Sequence, residues 1–411
     1  MAKKKKSSSV TEAQKALNTQ MEARFIERIT FIGKALIGDE KFGLIPSSIL
    51  EEISKLRLPR LKAKAMLGSQ IPSYKVKQYD RLFAEFIKEH TIETESNIDI
   101  PLDWYLSEGI IFLNVIAVLS GNEFPKAALI KKAFEPYLPG SEDYNRFGNI
   151  LETNIIDANI FLSEIDKYIL QADMRDTAFE NPETVYNAIL IQRFRPEKIR
   201  IVVDGHYRDA YKVGWVFATT AFDYINITPA QLGFEGDGAD LSLPVYIQQH
   251  AIDNLQKRID ITPGIMHFAV VNSFHDEQYK PVKGDNHSLV PYYLSEQKVG
   301  YLFCKWLDNR ILITTFLFLT NDGTPEGKKL KKLLLLEKAD KEYLRIDTLP
   351  HFNSYHFDRD ERLSALFTEA GCGSLLKVGH LEEFSKKEIA DKDPESILKY
   401  ISDFPVQKKR K

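Results

Sequence analysis

Between residues 20 and 190 the apolar positions recur at helical spacing. Phe25, Ile29, Ile32 and Leu36 fall at i, i+4, i+7 and i+11, one face of a helix, and Gly38 is placed to end it. Ser47 or Ser48 can cap a second helix through Ile49, Ile53 and Leu56, with Glu51 and Glu52 where the helix dipole favours acids and Pro59 as its stop. Further helices are predicted over Tyr79–His90, Leu102–Leu119, Pro125–Tyr137 and Ile150–Leu170, the last carrying Ile155, Ile156, Ile160, Ile165 and Ile169. Asn181-Pro182-Glu183 has proline where a helix begins.

Near residue 195 the pattern changes. Ile199–Val203 is β-rich, Asp204-Gly205 is a turn signal, and Tyr211–Phe217 follows, so a hairpin is expected. A loop with Gly233, Gly236 and Gly238 comes next. Leu243–Ile259 has helical spacing from Ile247 onward, and a second helix is expected from Pro263 to Phe274. Three β-like runs follow, Ser288–Leu294, Lys298–Leu307 and Arg310–Leu319, with Asp308-Asn309 as a tight turn between the last two. Helices are then expected from Thr324-Pro325-Glu326 through Leu336 and from Lys338 to Ile346.

Helices grouped apart from a meander imply an α+β fold and not a doubly wound sheet. The expected domains are a disordered basic tail over 1–18, a helical domain over 19–190, an α+β domain with a mainly antiparallel sheet over 195–400, and a second basic tail over 401–411. A chain of 411 residues exceeds one ordinary core, which supports two or more domains.

Composition narrows the picture in three places. The two cysteines, Cys304 and Cys372, form no CxxC pair and no disulfide framework, which excludes a cysteine-based zinc site and fits a reducing compartment. The basic start Lys3–Lys6 runs into polar residues instead of the apolar stretch of a signal peptide. No stretch is long and apolar enough to span a membrane. The expectation is a cytoplasmic protein with no membrane contact and no cofactor.

Net charge is −3, but it is segregated. Residues 1–90 hold 18 Lys and Arg against 10 Asp and Glu, and residues 91–190 hold 6 against 17. Such asymmetry marks a nucleic-acid-facing region beside an acidic one, or two segments that neutralise each other. In Lys55–Lys64 the cations Arg57, Arg60, Lys62 and Lys64 alternate with apolar residues, and Tyr74, Lys75, Lys77 and Tyr79 follow. Interleaved cations and aromatics can track a nucleic-acid backbone, or can be lysines lying over apolar neighbours.

Candidate chemistry centres on Gln248–Ile259. On a helix Ala251, Leu255 and Ile259 form the buried stripe, while His250, Asn254, Lys257 and Arg258 share the polar side. An imidazole with two cations can hold a phosphate and shuttle a proton; a plain solvated helix face is the competing reading. His351, His356 and Asp358 have metal-binding side chains, but no HExxH occurs and a structural role is the stronger reading. His275-Asp276-Glu277 with Asp285 and His287 reads as an exposed loop tip. The acidic run Gly233–Asp240 lacks the lysine of a phosphate loop and reads as a flexible connection.

The form His-Ala-x3-Leu-x2-Arg at His250–Arg258, then a helix over Thr262–Phe274, then the strands of Ser288–Leu319, resembles the barnase–EndoU–colicin–RelE group of toxin ribonucleases over about 75 of the 411 residues. The resemblance implies metal-free RNA cleavage with His250 and Arg258 as catalytic groups. Only those two residues carry over from the group; on the nucleic-acid reading of the residues themselves, Lys257, Lys305, Arg57, Arg60, Lys62 and Lys64 are the expected contacts. The sequence departs from that group in having no histidine on strands that carry Lys305, Asp308, Arg310, Thr314 and Thr315. The segment Thr315–Gly327 also resembles uncharacterised bacterial or phage proteins, which implies no chemistry. Two functions are therefore expected to compete. One is an RNA-binding protein whose ribonuclease-like domain is active or inactive. The other is a non-catalytic structural or interaction protein of a phage or mobile element, docking partners through its helical domain.

Overall fold

The computed structural model describes residues 2–56, 61–121, 124–176, 187–203, 205–217, 221–275, 280–385 and 389–400. The expected helix at Asn181-Pro182-Glu183 and the expected basic tail 401–411 lie outside the described residues. The fold is α+β, with an N-terminal helical region and a C-terminal mixed sheet. Two compact units divide the chain: Met1–Ala158 with Ala172–Gln192, and Asn159–Gln171 with Arg193–Lys411.

The first unit is built from α1 (Ala2–Ile37), α2 (Ser47–Lys55), β1 (Lys62–Ala65), α3 (Ser73–Glu89), α4 (Ile110–Val118), α5 (Ala127–Phe134), and the larger parts of α6 (Glu142–Leu162), β2 (Ile169–Asp176) and β3 (Asn187–Phe194), whose remaining residues are assigned to the second unit. The apolar stripe Phe25, Ile29, Ile32 and Leu36 is buried, as its spacing requires. Helix α1 begins at Ala2, so the stretch 1–18 expected to be disordered is assigned to the helix from its second residue on. Neither proline nor glycine interrupts the chain between Ala2 and Phe31, and nothing there breaks a helix once it propagates from the packed end.

This unit also holds a three-stranded sheet in the order β1-β3-β2, with β1 and β3 parallel, where helices alone were expected. The basic stretch forms β1 because Ala63, between Lys62 and Lys64, is buried while both lysines are exposed, the two-residue alternation of a strand. The helix expected over Ile150–Leu170 ends at Leu162, and Ile169 starts β2.

The second unit contains β4 (Lys198–Val203), β5 (His206–Lys212), β6 (Leu243–Gln248), α7 (Gln249–Ile259), α8 (Pro263–His275), β7 (Ser288–Leu294), β8 (Gln297–Leu307), β9 (Arg310–Phe318), α9 (Pro325–Leu334), α10 (Lys338–Leu344), α11 (Leu349–Asn353) and α12 (Glu361–Glu369). Its sheet runs β7-β8-β9-β6-β5-β4; the short strand Val282–Lys283 pairs with β7, and Asn226–Ile227 pairs with β6. Every pairing is antiparallel except β6 with β9. The β4–β5 hairpin and the β8–β9 turn at Asp308, which takes a left-handed backbone (φ 51°), sit where the turn signals predicted them.

One element differs in type. Leu243–Gln248 is the strand β6, not the lead-in to a helix, and α7 begins only at Gln249. Residues on both faces of β6 are buried, Val245 and Ile247 on one and Tyr246 and Gln248 on the other, so it reads as a nearly continuous apolar run that periodicity alone does not separate from a helix.

The sheet has two different faces. Ile311 and Ile313 of β9 and Val245 and Ile247 of β6 join Ala251, Ile252, Leu255 and Ile259 of α7 in the main core. On the other face a small cluster forms from Ile201, Ala210, Tyr246 and Leu312, with Ile199, Val203 and Leu307 against it. All seven are strand residues; among the described residues no helix joins this second cluster.

Candidate functional site

The helix α7 lies on the main-core face with its polar side outward. His250 is exposed near its first turn, and its Nε2 lies 3.0 Å from Asn254 Nδ2, which also donates to Thr315 Oγ1 at 2.9 Å. An amide nitrogen only donates, so His250 Nε2 is the acceptor. Arg258 lies eight residues on, about 12 Å along the axis. Its guanidinium closes on the Asp347 carboxylate and donates to the Asp347 carbonyl at 2.9 Å. With side chains 18% and 12% exposed, this is a half-buried structural ion pair. Lys257 is exposed in the same last turn.

Lys305 stands on the opposite face of the sheet. It pairs with Leu312 across the β8–β9 ladder, and opposed residues of an antiparallel pair project to the same side. Leu312 belongs to the strand-only cluster, whereas α7 packs only against the main core. The expected convergence of His250, Arg258 and Lys305 on one cleft therefore does not occur. The periodicity of α7 was legible; the one-residue offset that sends Lys305 to the far side depends on the register of β8, fixed only by pairing.

Among the remaining candidates, Lys62 and Lys64 project together from β1, and the Ala63 N–H between them donates to Asp80 Oδ1 of α3 at 3.0 Å. A groove of about 430 Å³ runs here along α3, lined by Lys77, Asp80, Arg81, Glu85 and Lys88 among others. Its charge is mixed, since Arg81 faces Glu85 at 3.7 Å. Arg57 and Arg60 lie outside the described residues.

No group of three or more metal-type ligands occurs among the described residues. His351 bonds to Thr348 and Arg345, and His356 Nε2 lies 3.0 Å from Asp391 Oδ1. His275 packs near Phe217 and His287 stacks on Phe303 at 4.3 Å, while Asp276 and Glu277 lie outside the described residues.

The strand-only face holds a constellation that the sequence pattern did not single out. Lys212 of β5, Tyr246 of β6, Leu312 of β9 and Lys305 of β8 are successive ladder partners, a row three strand spacings wide, about 14 Å. Arg208 pairs with Ile201 of the same cluster, and Arg310 pairs with Leu307 and places its guanidinium 5.9 Å from the Tyr246 ring centre. Among the described residues the acid tied into the row is Glu197, whose carboxylate takes the Tyr246 hydroxyl at 2.7 Å and lies 3.4 Å from Lys212 Nζ. Burial, reinforced by that carboxylate, pushes the Tyr246 hydroxyl up to about 12, so it stays a proton donor. Arg208, Lys305 and Arg310 have no carboxylate within 4 Å among the described residues. Beside Tyr246, Gln248 is buried, and its Nε2 has no hydrogen-bond partner among the described residues. The signal for this face was the alternation Arg208, Ala210, Lys212, obscured once β6 is read as part of a helix.

No protein-family model matches this sequence, and neither a curated protein nor a solved structure matches it. No described helix is long and apolar enough to cross a membrane.

Proposed function

We propose that this protein binds nucleic acid, with RNA as the expected ligand, across the strand-only face of its C-terminal sheet. The observation that carries this reading is the set of three cations, Arg208, Lys305 and Arg310, that no carboxylate among the described residues compensates, on a face where the alternation would otherwise place core residues. Uncompensated cations on a twisted sheet lower the energy of a polyanion through contacts to successive phosphates, and this term is independent of sequence.

The reading is one of binding without cleavage by His250 and Arg258. Arg258 is engaged by Asp347, and His250 is on the side of the sheet away from the cation row. The test is anisotropy of a labelled oligonucleotide at low salt. Binding that weakens steeply with salt, and is unchanged by His250→Ala, supports the reading. No binding at low salt removes it.

A further inference from the structure

A second site lies at the other end of α7, and it does not depend on the nucleic-acid reading. A cleft of about 480 Å³ opens between the last turn of α7 and the α10–α11 connection. Lys257, Arg258 and Asp260 line one wall, and Glu342, Arg345, Asp347 and His351 line the other. We propose that this cleft binds a small phosphate-bearing anion, held by Lys257 and Arg345.

The lining carries three cations, Lys257, Arg258 and Arg345, and three carboxylates, Asp260, Glu342 and Asp347, so the pairing of the charges and not their sum points to the ligand. Arg258 and Asp347 neutralise each other. Glu342 faces Lys338 at 3.7 Å, and Asp260 Oδ1 takes an amide hydrogen of Gln256 at 3.5 Å. Lys257 and Arg345 are both exposed, and neither has a carboxylate within 4 Å among the described residues. Cations at helix C-termini are favoured by the dipole, and that accounts for their presence at these ends. It does not account for how Arg345 is held.

Arg345 Nη1 lies 3.1 Å from His351 Nε2. A guanidinium only donates, so Nε2 is the acceptor and the imidazole proton sits on Nδ1, toward Thr348 Oγ1 at 3.0 Å. The Thr348 hydroxyl in turn donates to the Arg345 carbonyl at 3.3 Å. An uncharged acceptor thus stands where a carboxylate would ordinarily pair with the arginine. The guanidinium is oriented but its charge is not cancelled, and its remaining N–H groups are left for an incoming anion. Arg345 also keeps a left-handed backbone (φ 59°) as the cap of α10, a conformation non-glycine residues adopt uncommonly. A planar fork beside a point charge suits a phosphate better than a single carboxylate oxygen. The volume suits a molecule of sugar-phosphate or nucleotide size.

The test uses the full chain with inorganic phosphate and pyrophosphate, against sodium chloride at equal ionic strength, followed by titration calorimetry and thermal melting. The expected result is saturable binding of the phosphates alone, weakened at least tenfold by Lys257→Ala. His351→Glu, which supplies Arg345 with a carboxylate, should also abolish binding while the protein still melts cooperatively. Wild-type affinity in Lys257→Ala, or an equal effect of chloride, overturns the proposal. If His351→Glu fails to fold, the exposed Lys257 still decides the matter.

Discussion

His267 Nδ1 accepts the backbone N–H of Ile165 at 3.1 Å, joining α8 to a segment 102 residues earlier in the chain. The ring is buried, and desolvation pushes the imidazole down to about 4 from an ordinary 6.5. The acceptor role requires Nδ1 to be unprotonated, so bond and burial both demand the neutral ring.

The unfolded chain therefore binds a proton near pH 6.5 that the folded chain refuses until about pH 4. Stability rises with pH wherever the unfolded state holds more protons, so this contribution is present above pH 6.5 and is lost as pH falls toward 4. The loss amounts to about 3 kcal/mol at the bottom of that window. Urea unfolding at a series of pH values should show it, and His267→Gln should flatten the dependence. An unchanged slope in the variant would assign the acid sensitivity to other groups.

The same segment makes a second demand on α8. A methyl at Gly264 would lie 1.7 Å from the Ile160 carbonyl oxygen and 2.9 Å from that of Ser163. Both are backbone atoms, so no side-chain rotation relieves the clash. Gly264→Ala should cost about 3 kcal/mol or more, or prevent folding, although alanine is the better helix former. A melting temperature equal to the parent's would show that residues 159–171 do not pack on α8.

These contacts mark the limit of what the chain pattern reveals. The hairpin at Ile199–Val203, the strand Ser288–Leu294 and the helix from Pro325 follow from local periods and turn residues. The assignment of residues 159–171 to the second unit does not, because Ile160, Ile165 and Ile169 continue the isoleucine spacing of α6, and the groups that claim them, among them His267, Gly264 and Phe384, lie about 100 residues or more further along the chain. β6 was misread for a related reason: burial on both faces erases the alternation that identifies a strand. The candidate site failed at the same step. Placing His250 beside Lys305 needs the register of two ladders, and neither register is written in either residue's neighbours.

Arg258 offers a direct separation of structural from catalytic roles. Arg258→Met removes the cation from Asp347, whose carboxylate is largely sheltered. Because both groups keep some solvent contact, the expected loss is about 2 kcal/mol and not the full penalty of a deeply buried pair. Asp347→Asn in that background should recover part of it, a coupling that a double-mutant cycle by urea denaturation measures. Zero coupling energy would mean that the pair carries no stability.

The strand-only face predicts a salt dependence that can be counted. Three cations meeting phosphates release about 0.7 to 0.9 counterions each, so log affinity against log salt should fall with a slope of about −2 to −3. Raising monovalent salt from about 50 to about 200 mM should then weaken binding roughly thirtyfold. Lys305→Ala and Arg310→Ala should each make the slope shallower by just under one unit, and the double variant should approach additivity, since each side chain meets its own phosphate. Lys305 is half-buried and stands opposite the buried Leu312, so thermal melting must accompany each measurement to separate lost contact from lost packing. A slope unaltered by both substitutions, in variants that melt like the parent, would move the polyanion to another surface, with the exposed Lys62 and Lys64 of β1 the next to substitute.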